Sequence, residues 1–156
     1  MRLGVLAVSA AQPRWVEAAV DDYAKRFPSE WPFESIRVAP ERRSANRSTE
    51  RILAAEAARI RARLTRGARL IVCDQRGRAP TSHEFAGLLS AWSRTHPSAL
   101  FVIGSADGTD ATLRAEADDL LALSSMTLPH GLAYVLLIEQ LYRAVSILRG
   151  GPYHRE

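Results

Sequence analysis

The last stretch of the chain gathers side chains that hold and move charge. Arg143 sits in the run Leu-Tyr-Arg-Ala, and behind Gly150-Gly151 come Pro152, Tyr153, His154, Arg155 and Glu156. A tyrosine ring can stack on a nucleobase, a histidine can carry a proton near neutral pH, and an arginine can grip a phosphate with two donors. Chain ends are usually frayed and inert, so this concentration points to function. The glycine pair reads as a flexible hinge, and the residues after it are expected to add little to the fold.

Three further stretches offer backbone groups to a ligand: Cys73-Asp74, the loop 104–108, and the bend from Ser124 to Pro129. Cys73 by itself reads as a small buried hydrophobe, since no basic residue adjoins it to raise thiolate content. Ser124 and Ser125 lack the surroundings of a nucleophile elbow. Gly104 and Gly108 show neither the dinucleotide spacing nor a Walker lysine, which argues against a flavodoxin-like or other nucleotide-binding domain. His130, at the start of a helix, reads as a local hydrogen-bonder, and Asp118-Asp119 as a solvated turn. With one cysteine and four scattered histidines, neither a metal site nor an intrachain disulfide is expected, and a reducing cytosol is the default.

The elements that must position these groups follow from hydrophobic periodicity. Residues 3–8, 70–73, 100–103 and 120–123 are short apolar runs, as in strands buried on both faces, and 33–38 is a weaker alternating strand. Helical stripes lie between them. Trp15 to Phe27 follows Pro13. Leu53, Ala57, Ile60 and Leu64 follow a Ser48 cap and end at Gly67. Phe85 to Trp92 follows a Thr81/Glu84 capping box. A short helix is expected near 110–117, with 74–77 turning away from the third strand. The last helix, about 130–149, has an apolar arc wider than one sheet face requires, so part of it is expected to cover a partner subunit. Strands alternating with helices give an α/β fold with a mostly parallel, open sheet, read as one domain over 1–156.

Hydrophobic content of 47% against 24% charged residues is globular rather than disordered composition. The apolar start is too short for a signal peptide, and no run approaches a membrane span. Net charge is +4 with a single lysine, and a pI near 9.8 suits a polyanion such as RNA. Arg42, Arg43 and Arg47 crowd a polar loop, and Arg59, Arg61, Arg63 and Arg66 mark the next helix. A solvated face is a commoner reason for such a run than a nucleic-acid patch, and an arginine-favouring genome accounts for the excess of arginine as well as RNA binding does.

Over the whole chain the residues resemble a known family. The start LGVLAVSAAQPRWVEAAVDDYAKRFP, the loop after the fourth strand, LSSMTLPH, EQLYRA and the terminal GPYHRE fall in the order and spacing of the RlmH-type enzymes. These are small SPOUT-class methyltransferases that act on a pseudouridine of large-subunit ribosomal RNA. The resemblance implies a C-terminal trefoil knot, S-adenosylmethionine as cofactor, a homodimer packed through the last helix, and RNA of the assembled ribosome as substrate in the cytoplasm. It assigns cofactor contacts to Cys73, Gly104, Leu123, Ser124, Ser125, Met126, Thr127 and Leu128. Catalytic roles would fall to Arg143, Tyr153, His154 and Arg155. Two departures stand out. The family's Gly-Gly-Pro-Glu-Gly loop reads here Gly104-Ser105-Ala106-Asp107-Gly108, and Tyr134 stands where the family has an arginine. A knotted RNA binder without catalysis is the rival reading.

Overall fold

The computed structural model describes residues 1–154, with His154 given by its backbone alone. Five strands, β1 (Arg2–Val8), β2 (Phe33–Val38), β3 (Arg69–Arg78), β4 (Ser98–Ile103) and β5 (Asp119–Leu121), form one parallel sheet in the order β2-β1-β4-β3-β5. The helices α1 (Arg14–Ala24), α2 (Thr49–Arg61), α3 (Ser82–Ser93), α4 (Ala111–Glu116) and α5 (His130–Leu148) alternate with them. A 3-10 turn, Pro152–His154, follows α5.

Alternation along the strands divides the apolar residues between two cores. Leu3, Val5, Ala7, Ile71 and Phe101 face α1, α3 and α5, whereas Leu6, Val8, Val72 and Val102 face α2 and α4. Leu137, Ile138 and Leu141 of α5 are fully buried, each contributing about 1.5–3 kcal/mol through burial. By length and mean hydropathy, 1.4, α5 would suffice to cross a membrane. Here it is the central helix of the first core, flanked by α1 and α3. Those neighbours take up most of the apolar arc, and only Leu132 and Leu148 remain exposed at its ends.

Several local expectations need correction. Helix α2 stops at Arg61, before Gly67, and buries Ile52, Glu56, Ala57 and Ile60 rather than a stripe through Leu53. Residues 74–77 do not turn away. β3 runs on to Arg78 with a bulge, so that Leu121 opposes both Cys73 and Arg78. Gly77 makes this crossing of β5 feasible, since a Cβ there would lie 2.5 Å from Leu120 C and Leu121 N. Asp118 is exposed just before β5, as expected, but Asp119 is not part of a solvated turn. Asp118 accepts from Leu70 N at 2.8 Å, and Asp119, 8% exposed, is gripped by Arg69 and Arg78. Consequently β5 starts earlier than expected and ends at Leu121, leaving Leu123 in the segment beyond it.

Candidate functional site

At the carboxyl ends of β3, β4 and β5, where open α/β sheets bind ligands, two adjoining clefts of about 370 and 550 Å3 share Cys73, Asp74, Gln75, Ile103 and Leu128. All eight residues expected at a cofactor line them: 123–128 and Cys73 in the first, Gly104 with Cys73 and Leu128 in the second. Met126 N donates to Ser124 Oγ at 2.9 Å, a tight side-chain turn, and Met126 itself is 76% exposed at the rim. Burial pushes the Cys73 thiol up to about 12, so Cys73 lines the cleft as an inert neutral group.

The glycine loop is equally constrained. A Cβ on Gly104 would lie 2.3 Å from Gly108 O and 2.4 Å from Thr109 Oγ1, closer than any atom pair tolerates. His130 holds this loop from the start of α5. Its Nε2 donates to Gly104 O at 3.0 Å, which leaves Nδ1 to accept from Gln12 Nε2 at 3.3 Å. Burial keeps the imidazole below its ordinary pKa, and the neutral form is the one that both contacts require. His130 is therefore a long-range tie between the β1–α1 loop and the glycine loop, not merely a local bond. Ser105 Oγ in the same loop is buried with no partner among the described residues.

Of the expected catalytic residues, Arg143 and Tyr153 form a separate cluster near the end of α5. Arg143 Nε donates to Glu139 Oε1 at 3.0 Å, and its guanidinium lies 4.8 Å over the ring of Tyr153. Tyr153 hydroxyl donates to Glu139 Oε1 at 3.2 Å and meets Tyr23 hydroxyl at 3.0 Å, while its ring packs edge-on against Tyr142. Burial first, then these partners, raises the Tyr153 phenol well above its ordinary pKa. The tail is thus no loose hinge. Gly151 N bonds Ser146 O at 2.9 Å, and the chain turns back onto α5 because Tyr153 has aromatic and polar partners waiting there. Arg155 lies outside the described residues.

Sequence reading missed Glu139, although its spacing of four from Arg143 is the usual mark of a helical ion pair. Tyr134 does not reach the surface where an arginine would. It is 5% exposed, and its hydroxyl bonds Ser35 Oγ beneath α1. The cleft and the cluster do not meet within one chain. From His130 to Arg143, α5 rises roughly 20 Å at 1.5 Å per residue.

The family model described as a predicted SPOUT methyltransferase matches residues 1–154. The ribosomal RNA large subunit methyltransferase H of Nitrosospira multiformis is 47% identical over 99% of this chain and 99% of its own. The protein of that name from Burkholderia ambifaria is 49% identical over 99% of both chains. That from Laribacter hongkongensis is 50% identical over 100% of both.

Proposed function

Because the chain belongs to the SPOUT methyltransferase family, we propose that it methylates N3 of a pseudouridine in large-subunit ribosomal RNA, on the assembled ribosome, with S-adenosylmethionine as donor. The observation that carries this reading is full-length identity of 47% to 50% with proteins named ribosomal RNA large subunit methyltransferase H. A C-terminal trefoil knot is part of it, and the close passage of Gly77 over the backbone of β5 supports that topology.

The cleft suits such a cofactor. Ile103, Leu121, Leu123 and Leu128 offer an apolar wall for a purine ring, and the backbone of 123–128 offers donors and acceptors along its edge. Ser105 Oγ is a buried hydroxyl that lacks a partner and would find one in a polar ligand. Cys73, Gly104 and residues 123–128 would hold the cofactor, which supplies an electrophilic methyl group on a sulfonium. Positioning of the acceptor nitrogen is then the main catalytic task.

That task falls to the second cluster. Tyr153 stacks on the base, Arg143 balances the charge that develops as N3 loses its proton, and Arg155 grips a neighbouring phosphate. Glu139 holds Arg143 and Tyr153 in place. His154 takes the proton, since histidine titrates closest to neutrality. The separation of roughly 20 Å along α5 is closed in a homodimer whose two α5 helices pair antiparallel, bringing each cluster to the partner's cleft. Exposed Leu132 and Trp15, at the cleft end of α5, supply apolar surface for that pairing.

The test is methyl transfer from labelled S-adenosylmethionine to ribosomes isolated from a strain lacking this modification, read by mass spectrometry of the RNA. One methyl on one pseudouridine is expected. Tight cofactor binding with no transfer would leave a non-catalytic RNA binder and overturn the enzymatic reading.

A further inference from the structure

Residues 39–48, between β2 and α2, have no apolar periodicity, yet the loop is held in one shape. Glu56, only 3% exposed, accepts from Glu41 N at 2.9 Å, and Arg59 Nη1 donates to Ala39 O at 2.9 Å. Arg43 reaches across to Asp107 of the glycine loop at 2.8 Å. Burying a carboxylate is costly unless it is well used, and Glu56 is used to fix a surface loop. What the loop displays is positive charge. Glu41 is shared by Arg47 and Arg59, and Arg42 has no acidic partner among the described residues. Arg76 adds an exposed positive charge on the rim of the cleft.

The location matters as much as the charge. Loop 39–48 leaves β2 at the carboxyl edge of the sheet, the edge that carries the cleft. We propose that this clasped arginine loop is the docking surface for the phosphate backbone of the RNA substrate, with Arg42 and Arg43 on phosphates beside the cleft. The inference rests on the reading of the protein as an RNA methyltransferase. Arg63 and Arg66, exposed in the connection that leads from α2 to the start of β3, lie outside this loop.

The experiment compares Arg42→Ala/Arg43→Ala with Arg63→Ala/Arg66→Ala, two variants of equal net charge. Ribosome affinity is measured across salt concentrations, and cofactor affinity by calorimetry. The first variant should bind ribosomes at least about tenfold more weakly, with the salt slope reduced by about 0.7 per lost phosphate contact. Its cofactor affinity should stay within about twofold of wild type. The second should change ribosome affinity by less than about threefold. Arg42→Lys/Arg43→Lys should recover most of the loss, because a phosphate accepts a point charge. Equal losses in both double variants would reduce the effect to net charge and overturn the proposal. So would an unchanged salt slope, or a parallel loss of cofactor affinity, which would make the loop a brace for Asp107 alone. A wild-type protein with no ribosome affinity would overturn the proposed function as well, whereas wild-type binding unaffected by the first variant overturns only this inference.

Discussion

The cleft at the carboxyl edge and the Arg143 cluster at the far end of α5 are held together in opposite ways. The cleft depends on main chain at its glycine loop, where a Cβ at Gly104 has no room, and residues 123–128 form another of its walls. The cluster is a side-chain structure, in which Glu139, Arg143, Tyr153 and Tyr23 depend on one another through hydrogen bonds and ring contacts. A backbone cradle tolerates changes of side chain that point away from it, which is how the exposed Ala106 can stand where the family has a proline. A side-chain cluster has no such tolerance, because each member is a partner of the others.

That contrast makes the two regions separable by mutation. Arg143→Ala should lower single-turnover methyl transfer about 100- to 1000-fold, in the range for removing one charge-stabilising group. Cofactor affinity by calorimetry should stay within about twofold of wild type. A matching loss of affinity would mean that cleft and cluster act as one unit.

Gly104→Ala should do the reverse. Overpacking against Gly108 O and Thr109 Oγ1 should cost about 1–3 kcal/mol in denaturant unfolding, and cofactor affinity should fall with it. Ala106→Gly, on the exposed side of the same loop, should leave affinity unchanged. If both substitutions behave alike, loop flexibility rather than the backbone cradle controls binding.

The smallest expected effect is titration of the tie between the cleft and α5. Burial lowers the folded pKa of His130 below its unfolded value, so the unfolded chain binds more protons in the interval between them. The contribution of neutral His130 is present above the ordinary pKa near 6.5 and is lost as pH falls through the lower folded value. Wild-type stability should therefore decline faster than that of His130→Gln on acidification, measured by urea unfolding from pH 7.5 down to about 4.5. Parallel pH profiles would remove His130 as the titrating link.

Much of the fold was legible because the relevant signals are local. Burial on both faces writes apolar runs into β1 and β4, and the Ser48 cap and the Thr81/Glu84 capping box lie within four residues of their partners. The tail was only half legible. Its chemistry showed in Tyr153 and His154, but its docking needed Tyr23, which is 130 residues away.

By itself, then, the sequence determined the alternation of strands and helices and their caps, since each depends on neighbours along the chain, while the residues expected at the cleft came from the resemblance to a family. Only the tertiary structure decided that Asp119 would be buried between Arg69 and Arg78, that Glu56 would anchor the arginine loop, and that Gly77 would cross β5. It alone placed the cleft and the cluster at opposite ends of α5. These outcomes depend on which strands lie side by side, and a parallel sheet in the order β2-β1-β4-β3-β5 brings together groups whose separation along the chain carries no periodic signal.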